Sequence, residues 1–405
     1  IYDIKKCRKT DNFKLPFSYI LPPPLTIGEK MVKVFYLVYG LTSGGIEKYS
    51  VNLYKHLDHE KYDFQFIVKK NEHEFFDDEF KNAGGQKIAL GNVNDRSKIR
   101  YRLNYLIKLL SVIREDKYDI AYFNLSTPSD VFKYPLICKI FGIKRIIIHS
   151  HNSNQGSINF FTRLVNKMGR AYINKIATAR FACSDKAAAW MFGKACKSYT
   201  LVNNGLEIGK YDFNRLMREK MRSKLSINDK QFIVGHVGRF VRQKNHKFLL
   251  EIFKEFLKKK PNAILLLIGV GTLMSEVKKQ ARILGIKDRI IFLGEKDNVN
   301  EYMQAMDVFV LPSLYEGLPI SGIEAQATGL KCVFSDTISS EADITGNVIF
   351  KTLGTSPGSW AETINNCTKN AMRTSTVDKV QRAGFDIQYV TREVEATIDK
   401  LMKSK

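Results

Sequence analysis

Two carboxylates eight positions apart, Glu316 and Glu324, stand in the stretch Leu311-Pro-Ser-Leu-Tyr-Glu316-Gly-Leu-Pro-Ile-Ser-Gly-Ile-Glu324-Ala-Gln-Ala-Thr-Gly329. The apolar run ending at Leu311 reads as a buried strand, and Pro319 suits the first turn of a following helix. Glu316 then lies at a strand's carboxyl end, where a carboxylate can accept hydrogen bonds from hydroxyls. The helix N-terminus, with free amides and partial positive charge, is aimed at an anion. Upstream, Gly238-Arg239-Phe240-Val241-Arg242-Gln243-Lys244-Asn245-His246 follows another apolar strand. At such a strand-to-helix turn Arg239 and Lys244 can grip a diphosphate, the first bidentately and the second as a point charge. Arg242 and His246 read as solvated, with no role.

Two further places carry chemistry. Ser43-Gly44-Gly45-Ile46-Glu47 follows the first strand and opens a helix, so Gly44 and Gly45 let backbone amides come close to a phosphate or sugar. Ile146-Ile-Ile-His149-Ser-His151-Asn152 ends a buried strand with two histidines. His151 is favoured over His149 because it lies farther beyond the strand and nearer a cleft. Neither has a cysteine at ligand spacing, so no metal site is expected, and nothing in the sequence calls for a cofactor.

Elements that could position these groups alternate β and α twice along the chain. Strands are expected near 31–40, 64–68, 119–124, 144–149, 180–183 and 201–204, with helices over 46–57, 98–114 and 161–177. The alternation restarts at Phe232, with strands near 232–238, 263–268, 290–293, 308–311 and 331–334 and a helix from a capping Asn245 to Lys260. Such alternation implies parallel sheets covered by helices on both faces. The fold class is α/β, two Rossmann-like doubly wound domains facing a central cleft, with ligands beyond the strand carboxyl ends. The expected division is an extension over 1–30, a first domain over 31–205, a polar linker over 206–230, a second domain over 231–385, and a C-terminal helix over 386–405 packing back on the first domain. Residues 1–30, with Leu21-Pro-Pro-Pro24, lack periodicity. Either Met31 is the biological start, since Gly28-Glu29 can be encoded as a ribosome-binding sequence, or the segment is a flexible tail.

Composition bounds the rest. With 405 residues, 44% hydrophobic and 26% charged, the chain is globular and about two domains long. Sixty-four Lys and Arg against 41 Asp and Glu give +23, a surface that seeks polyanions: nucleic acid, anionic lipid or phosphorylated small molecules. Six dispersed cysteines without a C-x-x-C pair argue against a disulfide scaffold and for a reducing compartment. The longest apolar run, Ala263–Val270, is under half of the ~20 residues that span a bilayer. In the 161–176 helix Phe161, Leu164, Val165, Met168, Tyr172 and Ile176 form one stripe, and Arg163, Lys167, Arg170 and Asn174 fall on another face. This helix and the 98–114 helix either lie on an anionic leaflet or cover the sheet with charges in water.

From Val237 to Phe334 the chain resembles the retaining glycosyltransferases of family four, which have the GT-B fold. Their signature is Glu-x7-Glu after a Leu-Pro-Ser strand end, followed by Glu-Ala-x-Ala-x-Gly; Glu316, Glu324, Ala325, Ala327 and Gly329 match it. The wording of this stretch, with Ser335-Asp-Thr-Ile338 and His149-Ser-His-Asn152, is most similar to capsule and exopolysaccharide enzymes. The resemblance implies a nucleotide-diphosphate sugar donor, UDP-linked by preference, and a polyprenyl-diphosphate-linked or glycan acceptor. It implies transfer without a divalent metal, on the cytoplasmic side, at the inner face of an anionic membrane. It puts His151, Glu316, Arg239 and Lys244 at the reacting centre: His151 reaching the transferred sugar, Glu316 orienting sugar hydroxyls, the two cations on the diphosphate. Gly44, Gly45, Gly269, Gly317, Leu318, Ile320 and Glu324 would line the donor, Glu324 at the ribose and Gly269 near the base. Asn203-Asn204-Gly205-Leu206-Glu207 is similar to the family's domain junction. One departure is Pro319, where many members have glycine; proline removes a backbone donor near the phosphates. The rival readings are a sugar-nucleotide epimerase on the same fold and a nucleic-acid-binding protein, although no RRM-, KH- or zinc-finger-like pattern supports the latter.

Overall fold

A computed structural model describes residues 30–91, 98–152, 159–367, 369 and 373–404. The extension expected over 1–30 lies outside these residues except for Lys30. The first half runs β1 (Val32–Leu37), α1 (Gly45–His56), β2 (Tyr62–Lys70), α2 (Asp77–Asn82), β3 (Lys87–Gly91) and α3 (Lys98–Glu115). It continues with β4 (Ile120–Leu125), α4 (Pro135–Ile140), β5 (Arg145–Ser150), α5 (Phe160–Ile176), β6 (Ala179–Ala182), α6 (Asp185–Phe192) and β7 (Thr200–Leu201). These seven strands form one parallel sheet in the order β3-β2-β1-β4-β5-β6-β7. The order reverses beside β1. Right-handed crossovers therefore put the helices of the two arms on opposite faces: α1 packs in one core, and α3, α4, α5 and α6 pack in the other.

After α7 (Arg215–Lys224) come β8 (Ile233–Val237), α8 (His246–Leu257), β9 (Ile264–Ile268), α9 (Met274–Ile283), β10 (Ile290–Gly294) and α10 (Val299–Ala305). The second half ends with β11 (Val308–Leu311), α11 (Ile320–Ala327), β12 (Lys331–Ser335), β13 (Val348–Lys351), α12 (Pro357–Cys367), α13 (Val377–Arg382) and α14 (Ile387–Lys403). Its six parallel strands are ordered β10-β9-β8-β11-β12-β13. Central strands β4, β9 and β11 are buried along their whole length, as a sheet covered on both faces demands.

The chain passes between the sheets twice, and the two passages pair. Leu206 N–H donates to the Phe385 carbonyl at 2.7 Å and Ile387 N–H to the Leu206 carbonyl at 3.0 Å. α14 then buries Ile387, Val390, Val394 and Ile398 in the core that α1 shares on the first sheet.

The structure differs from the sequence expectation in three places. Segment 206–230 is not only a linker: it carries α7, whose Met221 enters the second core. There Arg222 donates to the Ala305 carbonyl at 3.0 Å and the Asn228 carbonyl at 2.7 Å. Arg218 likewise turns inward, onto the Ala305 and Met306 carbonyls at 3.0 and 2.8 Å, so charged residues on the inner face mask the amphipathic character of α7. Asn245 stands at the N-cap position of α8 as expected, but in a left-handed conformation (φ 54°) and without a capping hydrogen bond from its side chain, whose amide donates instead to the Pro312 carbonyl at 3.1 Å. In α5, Asn166, Gly169, Ile173 and Ile176 face inward. Phe161, Leu164 and Met168 of the expected stripe are exposed, as is Phe160, at 72, 44, 57 and 80% respectively.

Gly169 is where α5 meets the turn after β4. A Cβ there would lie 2.6 Å from the Pro128 carbonyl carbon. Mid-helix alanine normally gains about 1 kcal/mol over glycine, but overpacking against rigid backbone costs about 1–3 kcal/mol. Gly169→Ala should therefore lower the urea midpoint. Gly358→Ala in α12, whose Cβ would meet nothing nearer than 3.8 Å, should hold or raise it.

Candidate active site in the interdomain cleft

The carboxyl ends of both sheets face a cleft of about 1170 Å³. Its second-domain wall is built from the β8–α8 turn and the β11–α11 loop, stitched together by Gln243. The Leu314 amide donates to the Gln243 carbonyl at 2.8 Å, and Gln243 Nε2 donates to the Tyr315 carbonyl at 3.0 Å and to Glu316 Oε2 at 3.1 Å. Lys244 Nζ lies 2.6 Å from Glu316 Oε1. The groups assigned to diphosphate and to sugar hydroxyls are thus an ion pair here. Arg239 is exposed in the cleft, and among the described residues it makes no ion pair with a carboxylate.

At α11 the Gly322 and Ile323 amides close on the Pro319 carbonyl. Pro319 is the capping residue rather than the first helical one. The amides left for a ligand are those of Ile320 and Ser321, which line the cleft with Gly317 and Leu318. Glu324, one turn on, is buried and turned toward the other domain. Its Oε1 accepts from Lys48 Nζ of α1 at 2.6 Å and from Tyr211 Oη at 2.6 Å, while Lys48 also reaches Tyr211 at 2.8 Å. Burial opposes the Lys48 charge, but the Glu324 carboxylate and Tyr211 outweigh it and hold the ammonium above its usual range.

From the first domain, the starts of α1 and α11 meet: a Cβ on Gly45 would collide with Ile320 Cδ1. The space over Gly44 is filled by the Glu47 carboxylate. Burial pushes the Glu47 carboxyl up, and Arg239 across the cleft pulls it the other way. His151 lines the cleft while His149 lies behind it, bonded to Tyr122 Oη at 2.8 Å and the Val202 carbonyl at 3.1 Å. His151 Nδ1 contacts Asn204 Oδ1 and Nε2 contacts Asn124 Oδ1, each at 2.8 Å. Burial pushes the ring down to about 4. It is therefore neutral at neutral pH, donates from one nitrogen, and needs an amide N–H₂ from one of the two asparagines at the other.

The structure brings together Gly44, Gly45, His151, Arg239, Lys244, Glu316, Gly317, Leu318, Ile320 and Glu324 on one cleft. Gly269 is not on its lining. It has φ 131° and lies behind the turn, where a Cβ would meet the Gly238 carbonyl carbon at 2.9 Å. His246 is not solvated: it is buried, stacked on Phe240 with centroids 4.1 Å apart and edge-on to His236. Sequence reasoning gave no role to Lys48, Gln243, Asn124 or Tyr211, although Gln243, like Asn204, sits in a motif it had marked. Among the described residues no group of His, Cys, Asp and Glu is arranged to hold a metal ion.

Residues 43–208 match the family described as Glycosyltransferase Family 4, and residues 217–379 match the one described as Glycosyl transferases group 1. EpsF of Bacillus subtilis, named as a glycosyltransferase, is 30% identical over 337 residues, covering 82% of this chain and 86% of its own. The UDP-Gal:alpha-D-GlcNAc-diphosphoundecaprenol alpha-1,3-galactosyltransferase of Escherichia coli is 25% identical over 305 residues, covering 72 and 76%. The crystal structure of Anabaena HepE in complex with UDP and glucose superposes with a TM-score of 0.74 at 18% identity, covering 91% of this chain and 100% of that one.

The His151 environment has a pH consequence. Its folded value of about 4 lies below the 6.5 of an unfolded histidine, as does that of His246. Between those values the unfolded chain takes up protons that the fold refuses, so stability is complete above about 6.5 and falls as pH drops toward 4. The urea midpoint should fall from about pH 7.5 to about pH 5, and by less in His151→Gln.

Proposed function

The chain belongs to glycosyltransferase family 4 and has the GT-B fold, and on that premise we propose that it moves a hexose or N-acetylhexosamine, with retention, from a UDP-sugar to a lipid-linked or glycan acceptor of a cell-surface polysaccharide. The observation that carries this reading is the convergence on one cleft wall of Arg239, the Lys244–Glu316 pair and the α11 N-terminus. Superposition on a fold that holds UDP in HepE and likeness to a UDP-galactose enzyme with a diphosphoundecaprenol acceptor favour the donor and acceptor classes.

In the proposed reaction the bond from the sugar anomeric carbon to the diphosphate breaks as the acceptor oxygen bonds to that carbon on the same face. The acceptor proton passes to the departing phosphate oxygen. Negative charge grows on the diphosphate as it takes the electron pair of the breaking bond ahead of that proton, and Arg239, Lys244 and the Ile320 and Ser321 amides are placed to receive it. Once Lys244 turns to phosphate, Glu316 is released to accept from sugar hydroxyls. Glu324 takes the ribose hydroxyls only as Lys48 withdraws. His151, neutral and fixed by two asparagines, borders the sugar. These are positioning roles, in keeping with transfer between oriented reactants.

Membrane contact forms the second part of the proposal. No helix among the described residues is long and apolar enough to cross a membrane. α5 exposes Phe160, Phe161, Leu164 and Met168 beside Arg163 and Lys167, and α3 exposes Leu103, Leu106 and Ile107 beside Arg102 and Lys108. Both helices cover the same face of the first sheet. Exposed apolar side chains ringed by cations suit an anionic bilayer surface.

Two experiments test this reading. In a screen of UDP-, GDP- and ADP-sugars, a UDP-sugar should be turned over. Arg239→Ala and Glu316→Gln should each lower kcat by about 10²–10³; unchanged turnover in both defeats the assignment, and NMR of the product separates retention, inversion and epimerisation. In flotation with phosphatidylglycerol vesicles the wild type should rise with the lipid, while Phe161→Ser/Leu164→Ser should stay behind. Equal flotation of both would remove α5 as the contact.

A further inference from the structure

The cations that line the cleft differ in one respect. Lys48 and Lys244 are each paired with a buried carboxylate. Arg170 of α5, Lys186 in the first turn of α6 and Lys194 two residues past its end also line the cleft, and among the described residues none of them makes an ion pair. Lys186 and Trp190 stand four residues apart on one face of α6, and Lys194 follows in the turn after Gly193, where the helix has ended. Asp185 and Glu341 lie near Lys186, which makes it the least free of the three.

Arg170 is held from one side only. Its Nε donates to the Trp190 carbonyl at 2.8 Å, and its guanidinium lies over the Trp190 ring, 5.2 Å from the centroid. The ring is itself anchored by Nε1 donating to the Ser126 carbonyl at 3.2 Å. The two Nη groups have no protein acceptor among the described residues. A half-buried guanidinium with open N–H bonds in a concave site is completed by an oxyanion, and its planar fork suits phosphate.

We propose that Arg170, Lys194 and the face of Trp190, with Lys186 as an outer cation, form a subsite for the phosphate or diphosphate of an amphiphilic acceptor. This rests on the lipid-linked acceptor of the function proposed above and supplies its location. Arg170 shares α5 with Phe161, nine residues and roughly 14 Å away along the helix axis. The polar groups beyond it, Ser126 and His151, lead along the same lining into the cleft. An amphiphile with its chain along the exposed face of α5 thus has its anionic head at Arg170 and its sugar at the donor.

Indole fluorescence reads the subsite directly. The chain has two tryptophans, and Trp360 is fully buried, so a ligand at this place acts on Trp190. With UDP saturating the donor wall, farnesyl diphosphate should change the emission, while farnesol should not and inorganic pyrophosphate should bind more weakly. Arg170→Ala/Lys194→Ala should weaken farnesyl diphosphate binding by about tenfold or more, the loss expected for charge-assisted hydrogen bonds. Lys194→Ala alone, an exposed change that leaves the Arg170–Trp190 stack intact, should give part of that loss. Unchanged affinity in both variants, equal binding of farnesol, or equal binding of inorganic pyrophosphate would overturn the subsite. Competition of farnesyl diphosphate by UDP would overturn it too, by moving the anion to the donor wall. Failure of UDP itself to bind in calorimetry would strike the donor reading instead, so the two failures are told apart.

Discussion

Everything in the cleft depends on how two separate sheets are made to face each other by their carboxyl edges, and that rests on the paired chain crossings at Leu206 and Asp386. The two backbone hydrogen bonds there are supplemented by Asn203 Nδ2, which donates to the Ala383 and Gly384 carbonyls at 3.0 and 3.1 Å. Past the crossing, α14 returns to the first sheet, where Asp399 accepts from both Lys61 and Tyr62 at 2.6 Å. The second half is therefore tied to the first at one edge, with the cleft walls free to move about that line. Such a joint is what closure around a ligand requires. The walls touch across it through few groups, chiefly Lys48 with Glu324 and Gly45 with Ile320.

Two of the cations lining the cleft are matched by carboxylates before any ligand arrives. Lys244 is on Glu316, Lys48 is on Glu324, and Glu47 faces Arg239. Leaving a buried charge unpaired costs several kcal/mol, whereas exchanging one partner for another costs far less. Under the proposed function an arriving diphosphate and ribose can therefore enter by exchange: the anion takes a cation, and the released carboxylate takes a hydroxyl. The Lys48–Glu324 exchange differs from the other because its members come from different domains. A hydroxyl that occupies Glu324 removes a contact that holds the walls together, so ligand contact and domain position are coupled through one hydrogen-bonded triad.

The alternation of strands and helices, the position of both parallel sheets and most residues of the donor wall were legible from sequence. Apolar runs with turn residues at their ends are a local signal. Short or polar elements were not: α2, β3 and α6 have little periodicity, and α7 hides the buried Met221 among charged residues. The site's missing members share a cause. Lys48, Tyr211 and Asn124 act on partners 276, 113 and 27 residues away, and no spacing rule reaches so far. Gln243 sits between two marked residues, yet its role depends on a loop seventy residues downstream. Gly269 and His246 were misplaced for the opposite reason. A glycine after a strand and a histidine after a basic turn read as ligand-facing or solvated, while packing against Gly238 and Phe240 decides where they lie.

The net charge of +23 finds an explanation in the same architecture. The proposed donor site uses only a few cations at the second-domain wall, of which Lys244 is already matched by Glu316. The surplus is conspicuous on the outer layer of the first domain, where α3 and α5 present Arg102, Lys108, Arg163, Lys167 and Lys175 to solvent. Each contributes about 1 kcal/mol near an anionic leaflet, and shielding one large apolar side chain from water contributes about 1.5–3 kcal/mol. Under the proposed membrane contact, a handful of both would give adhesion that is firm but reversible, unlike a spanning helix. Strand order explains why this surface and the unpaired cations of α5 and α6 belong to the same layer: all these helices connect strands stepping the same way from β3 to β7. Under the proposed function a water-soluble donor meets one domain and an amphiphile meets the other, and the parallel sheets bring both to a single edge.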